Sequence, residues 1–175
     1  MRVTLVRHTT VDVPRMICYG QTDVPLKESF EEEAKVVRGK INPKTYDHVY
    51  CSPLSRCVRL AEFCGYKDAT KDNRLKEINF GEWEWTFMYS NPDPRVSHWF
   101  ENQLTEPMPS GESFLMIKDR FRDFLQEKKA EQQDNLLVFT HGGIFLSAEL
   151  LKGKTFNNDF FDYLPPYGTV AEYEF

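Results

Sequence analysis

Three shortages narrow what this 175-residue chain can be. It has no apolar run near the ~20 residues that a bilayer-spanning helix needs, and no charged-then-apolar leader opens it. A soluble, cytoplasmic protein with no membrane partner is expected. Positive charge is short: 22 Lys and Arg against 27 Asp and Glu leave a formal charge of −5. Nucleic-acid binders draw affinity from a basic surface that neutralises phosphates, so no nucleic-acid partner is expected, and any anionic ligand needs cations concentrated locally. Cysteine is scarce: Cys18, Cys51, Cys57 and Cys64 form no CxxC pair, and no closely spaced His pair accompanies them. No metal site is expected. A chain with 41% hydrophobic residues builds enough core to do without disulfide staples, so the four thiols read as small apolar filler.

What is present is an alternation. Three short β-rich runs, "TLVRHTT" from Thr4, "HVYCSP" from His48 and "LLVFTHGG" from Leu136, each stop at a polar turn and lead into a helical pattern. After the first, Ser29 and Glu32 have the spacing of a capping box, with Phe30, Ala34, Val37 and Ile41 near a helical stripe. After the second, Ser52 suits an N-cap with Pro53 as the first helical residue, and Cys57, Leu60, Ala61 and Cys64 make one face. Ahead of the third, Phe114, Ile117, Phe121, Phe124 and Leu125 recur at helical spacing. Strand and helix in turn predict an α/β fold of three layers, a mainly parallel central sheet with helices on both faces. "TVAEYEF" reads as a closing strand. The whole of 1–175 reads as one domain, with an irregular aromatic and proline-rich segment at about 83–109 that reads as an insertion or lid.

Ligands of an open parallel sheet sit beyond the carboxyl ends of its strands. Arg7 and His8 finish the first predicted strand, Arg56 follows the second, and His141 finishes the third, so all four are expected on one rim. Two arginines and two histidines on one edge of an acidic chain make a local cationic pocket suited to phosphate oxygens. A neutral His8 can attack phosphorus in line while Arg7, Arg56 and His141 offset the charge of the transferring group. The leaving alkoxide needs a proton, and "RLKEINFGEWEW" offers Glu77, Glu82 and Glu84 as carboxylic acids. Water then attacks the phosphohistidine, and the same carboxylate acts as base. No metal or other cofactor enters this scheme.

At these residues the sequence resembles the histidine phosphatase superfamily, the phosphoglycerate-mutase-like fold. "LVRHTT" is similar to its Arg-His signature, "CSPLSR" to its Ser-Pro-x-x-Arg turn, "LKEINFGEWE" to its acid-bearing segment, "PSGES" to the stretch before its last long helix and "FTHGG" to its second histidine. The resemblance implies that His8 is phosphorylated, that Arg7, Arg56, His141 and Gly142 bind phosphate, and that Glu77, by its place in Leu-x-Glu, is the acid. The chain departs from the pattern at Thr9-Thr10, where Gly-Glu is usual, near Pro14, where an Asn is usual, and at Trp85, where a Gly is usual. "CYGQTDVPL", Cys18 to Leu26, looks like the corresponding loop of α-ribazole phosphatases and implies Gln21 and Thr22 as hydrogen-bond donors to substrate. The implied partner is a small phosphomonoester, α-ribazole 5′-phosphate in cobalamin nucleotide-loop assembly. A broad-specificity phosphatase, a phosphoglycerate mutase and a catalytically inactive phospho-ligand-binding domain are the alternatives.

Other phosphate motifs fail. "LKGKTF" ends like a nucleotide-binding P-loop, but the glycine required five positions before Gly153 is Ala148. Cys51 and Arg56 are separated by four residues where cysteine phosphatases set five.

Overall fold

The computed structural model describes residues 1–157 and 159–175. Among the described residues five strands form one sheet: β1 (Arg2–Arg7), β2 (His48–Cys51), β3 (Thr70–Lys71), β4 (Asn135–Thr140) and β5 (Val170–Glu174), in the order β3-β2-β4-β1-β5. β1, β2, β3 and β4 run parallel, and β5 closes the edge antiparallel to β1. The helices are α1 (Phe30–Ile41), α2 (Ser55–Phe63), α3 (Arg95–Glu101), α4 (Phe114–Ala130) and α5 (Gly142–Leu151). The expected α/β architecture is present; β3, two exposed residues long, carries no periodic signal in the sequence. Among the described residues no helix is long and apolar enough to cross a membrane.

Both sheet faces are buried, and the strands show it residue by residue. Val3 and Leu5 of β1 with Leu136 and Val138 of β4 join one core, where Phe114, Ile117, Phe121 and Phe124 of α4 pack with Ile144, Phe145 and Ala148 of α5. Val6, Leu137 and Phe139 point the other way, against Ala34, Val37 and Ile41 of α1 and Cys57, Leu60, Ala61 and Cys64 of α2. Successive strand side chains alternate between faces, so a parallel strand covered on both sides reads as a continuous apolar run. All four cysteines are buried and free, and burial pushes the Cys51 thiol up to about 12.

Two helix starts differ from expectation. Ser29 does sit at the N-cap of α1, but its hydroxyl donates to Glu33 Oε1 at 2.7 Å, so no capping box with Glu32 forms. The other oxygen of Glu33 accepts from the Thr10 backbone and hydroxyl, tying α1 to the loop after β1. α2 begins at Ser55 rather than Pro53, and Asp23 accepts from both the Ser55 N–H and its hydroxyl. A loop distant in sequence thus supplies the cap, which no local pattern records. The 83–109 segment contains α3, and two of its tryptophans, Trp83 and Trp99, are core residues packed edge to face at 5.8 Å, while Trp85 is half exposed. Trp85 has φ 63°. A left-handed residue is costly for anything but glycine, which accounts physically for the glycine usual at that place.

Register brings the strand tips level. Arg7 pairs with Thr140 and Cys51 with Phe139, so His8, Ser52 and His141 all emerge at one edge. The helices that follow β1 and β4 cover opposite faces, which makes the β1/β4 boundary the point where the connections diverge.

Phe139 sits at the middle of the sheet with no exposed surface. Phe139→Ala should destabilise by about 3–5 kcal/mol in urea unfolding, against a change within about 0.5 kcal/mol for the exposed Val36→Ala on α1.

Candidate active site

The chain leaves β1 as Arg7-His8-Thr9, and each of these side chains holds a buried polar atom with no hydrogen-bond partner: Arg7 Nε, His8 Nε2 and Thr9 Oγ1. Buried polar atoms are nearly always paired, so three in consecutive residues mark a place built for something other than packing. His8 Nδ1 lies 2.8 Å from the Thr9 carbonyl. A carbonyl accepts only, so Nδ1 carries the hydrogen and Nε2 presents a bare lone pair. Burial first, then the Arg56 and Arg7 guanidiniums, hold His8 well below the ordinary imidazole value of 6.5. It is a neutral imidazole in one tautomer.

Arg56, on the first turn of α2, is completely buried. Its Nη2 donates to the Gly20 carbonyl at 2.6 Å, its Nη1 to the Thr22 carbonyl at 3.1 Å, and its Nε to His141 Nδ1 at 3.3 Å. Each terminal nitrogen keeps a second N–H. Because His141 Nδ1 accepts, its Nε2 carries the hydrogen and donates to Ser52 Oγ at 2.7 Å. Ser52 therefore serves His141 and caps no helix. His141 is also held well below 6.5, by burial and then by Arg56. The two imidazoles stand edge to face, 5.3 Å between centroids. Arg7, His8, Arg56 and His141 are thus brought together on one rim, the edge on which their sequence positions place them. In this structure both ring nitrogens of His141 are engaged by protein, and its part in holding an anion depends on exchanging one of those bonds.

Gln21 and Thr22 do not stand as free donors. The Gln21 side chain donates to the Glu77 carbonyl, and the Thr22 hydroxyl donates to Glu84 Oε2 at 2.6 Å. Glu84 also accepts from the backbone N–H groups of Gln21, Thr22 and Phe80. In this structure these donors fold the loop whose carbonyls receive Arg56. Glu84 is the organiser of that loop rather than a candidate acid. Glu82 points to the surface, paired with Arg95 and accepting from Ser110.

Glu77 reaches the cavity, whose lining also includes Asp162. Its Oε1 accepts from the Ile78 N–H at 2.8 Å and from the Gly143 N–H, in the first turn of α5, at 3.0 Å. Arg120 of α4 fixes the segment by donating to the carbonyls of Arg74, Lys76 and Glu77 and to the Glu112 carboxylate. The two glycines after His141 leave room for the flanking charges. A Cβ on Gly142 would stand 3.3 Å from Arg7 Cζ and 2.6 Å from Leu164, and one on Gly143 would collide with Glu77 Oε1. Sequence reasoning missed two residues here, Tyr19 and Tyr167. The Tyr167 ring lies 4.3 Å from Arg7 Cζ, and the Tyr19 ring 5.2 Å from Arg56 Cζ. The "PPYGT" turn was the available signal for Tyr167.

Beside the rim lies a cavity of about 550 Å³, whose charged lining is Arg7, Arg15, Lys27, Glu77 and Asp162 and whose apolar walls include Val11, Ile17, Phe80, Met88, Phe161 and Leu164. Among the described residues no group of three or more His, Cys, Asp or Glu side chains is placed to hold a metal ion. The chemistry available is nucleophilic attack by a bare imidazole nitrogen, anion grip by two guanidiniums and proton transfer at a carboxyl group.

The family model for the histidine phosphatase superfamily (branch 1) matches residues 3–158, and the chain belongs to that superfamily. A protein of Hydrogenobacter thermophilus named "Putative phosphoserine phosphatase 2" is 29% identical over 150 residues, 81% of this chain and 73% of that one. The crystal structure of a phosphoglycerate mutase from Thermus thermophilus superposes with a TM-score of 0.79 at 27% identity, covering 98% of this chain and 92% of that one. A structure described as a "putative alpha-ribazole-5'-P phosphatase" from Escherichia coli superposes with a TM-score of 0.83, covering 98% and 89%. At 22% identity the last likeness is one of fold.

The depressed His8 and His141 give a pH prediction whose sign follows from linkage. Below the unfolded value of 6.5 the unfolded chain binds protons that the folded one refuses. Folding stability should be full above pH 6.5 and fall as pH drops below it, by up to about 2.7 kcal/mol per pH unit for two such groups. Urea unfolding from pH 7.5 to 5.5 should show this slope, and it should flatten in the H8Q/H141Q double variant.

Proposed function

For this member of the histidine phosphatase superfamily we propose a phosphomonoesterase acting through a phosphohistidine at His8. The observation that carries the reading is the pairing of two buried unsatisfied atoms at one strand tip, the His8 Nε2 lone pair and the Arg7 Nε–H. One needs an electrophile and the other an anion. A phosphate ester is both.

His8 Nε2 forms a bond to phosphorus as the ester P–O bond breaks in line with it, and Nδ1–H keeps its bond to the Thr9 carbonyl. Arg7 and the free N–H groups of Arg56 take the equatorial oxygens, with His141 aiming Arg56 through its Nε. Glu77 gives its proton to the departing alkoxide. The resulting carboxylate takes a proton from water, whose oxygen attacks phosphorus; the P–N bond breaks, and orthophosphate and neutral His8 return. Buried Cys51 is no rival nucleophile, since its thiol stays protonated at neutral pH.

The substrate we propose is α-ribazole 5′-phosphate. A cavity of about 550 Å³ has apolar walls to receive the flat ring system of an alcohol larger than 3-phosphoglycerate, beside the cations Arg7, Arg15 and Lys27 that favour an anionic substrate. Gln21 and Thr22 enter this reading as residues that shape the Arg56 loop.

His8→Ala should abolish covalent labelling by phosphate and lower turnover by about a thousandfold or more, measured by acid-labile, base-stable phosphoprotein and by phosphate release. Glu77→Gln should cost about a hundredfold or more with alkyl phosphates and much less with p-nitrophenyl phosphate, whose leaving group needs little protonation; equal losses on the two substrates would remove Glu77 from the acid role. On a substrate panel α-ribazole phosphate should exceed 3-phosphoglycerate in kcat/KM by at least about tenfold, a difference of about 1.4 kcal/mol. Isomerisation of 3-phosphoglycerate in place of phosphate release would instead identify a mutase.

A further inference from the structure

The catalytic group proposed above is sealed. His8 is 1% exposed, Arg56 0% and Arg7 7%, although a sizeable cavity opens beside them. What closes the rim is a pair of tyrosines from opposite ends of the chain. Tyr19 and Tyr167 meet hydroxyl to hydroxyl at 2.9 Å. The Tyr167 ring is 5.4 Å from the His8 ring and lies over Arg7, and the Tyr19 ring lies over Arg56. Both tyrosines line the cavity, so they stand where it meets the rim.

Each is mounted on a turn tied to one of the guanidiniums. Tyr19 precedes Gly20, whose carbonyl accepts from Arg56. Tyr167 follows Pro165 and Pro166, and the Pro165 carbonyl accepts from Arg7 Nη1. The turn is closed behind it by Gly168, with φ 67° and its N–H donating to the His8 carbonyl. The two cations proposed to grip phosphate are therefore the two that hold the tyrosine-bearing turns in place.

We propose that Tyr19 and Tyr167 form a gate over the phosphate pocket and that the anion itself opens it. Phosphate oxygens that take the unpaired Arg7 Nε–H and the free N–H groups of Arg56 draw the two guanidiniums away from the Pro165 and Gly20 carbonyls. As either guanidinium turns to the anion it releases the turn it held, and the hydroxyl bridge parts. Closure keeps water from a buried cationic cluster that has no carboxylate among the partners of Arg7 or Arg56. The inference rests on the phosphomonoesterase reading, and its test separates the two.

The probe is inorganic phosphate, titrated calorimetrically into the wild type, Tyr19→Phe, Tyr167→Phe and the double variant. A closed gate taxes binding by the fraction of molecules that are open. Loss of one solvent-facing hydroxyl bridge should tighten phosphate binding about two- to fivefold in either single variant. Since both variants remove the same bond, the double variant should bind no tighter than either single one. Weaker binding in the variants would overturn the gate and make the hydroxyls phosphate ligands, and additive effects would overturn the shared bond. Phosphate binding in the wild type with variants unchanged overturns the gate and leaves the phosphatase reading standing. Absence of phosphate binding in all four proteins overturns both.

Discussion

Much of this molecule is arranged to keep two guanidiniums out of water without carboxylate partners. Burying an unpaired charge costs several kcal/mol unless hydrogen bonds replace its hydration. Arg56 meets that requirement through the carbonyls of Gly20 and Thr22 and a histidine nitrogen; Arg7 meets it in part, through the carbonyl of Pro165 and the face of Tyr167, and keeps its Nε–H unpaired. These partners are dipoles and a ring quadrupole, so they hold the cations without cancelling them. An ion pair would have stabilised the apo site and spoiled it for an anion. In a chain of formal charge −5, the cationic character of the rim survives because the nearby carboxylates are engaged elsewhere. Glu84 takes loop N–H groups, Glu33 takes Thr10 and Ser29, and Glu77 takes the start of α5.

The same demand explains the dependence of the site on backbone that carries no chemistry of its own. The Gly20–Thr22 carbonyls are useful only if the loop turns them inward, and Glu84 does this by accepting from two backbone N–H groups and the Thr22 hydroxyl. Asp23 pins the loop to the start of α2, one residue from Arg56. A loop, its anchor and the cation it solvates form one coupled unit, so the effects of Glu84, Thr22 and Arg56 substitutions should not add. On the other side of the rim, Gly142 and Gly143 let Arg7 and Glu77 approach α5 more closely than any side chain would allow.

What could be read in advance followed from periodicity and from chain order. The alternating strands and helices placed Arg7, His8, Arg56 and His141 on one edge because a parallel sheet sends every strand tip the same way, and the register of β1, β2 and β4 agrees. Glu77 was separable from Glu82 and Glu84 by its place in the resembled motif, and geometry gives a reason: Gly143 offers it an N–H, whereas Glu82 meets Arg95. The misreadings share a cause. Ser52 and Ser29 have the composition of caps, yet the partner each chose lies far along the chain or one position off the expected spacing. Side chains with several possible partners are assigned by tertiary structure, which local pattern does not encode.

Tyr19 and Tyr167 show the same limit from the other direction. Nothing in "CYGQ" or "PPYG" announces that residues 148 positions apart share a hydrogen bond. Yet the pair follows from the cation problem: a guanidinium solvated by carbonyls still exposes its flat faces, and an aromatic ring covers such a face at modest cost. Covering both cations from the cavity side calls for two rings, and two tyrosines placed there meet at their hydroxyls. Unlike a carboxylate, each ring can leave its cation without stranding a charge, because the arriving phosphate replaces it. The feature that makes the apo site stable is therefore compatible with its being opened by the ligand, and this ties the buried cations, the loop carbonyls and the tyrosine pair into one physical arrangement.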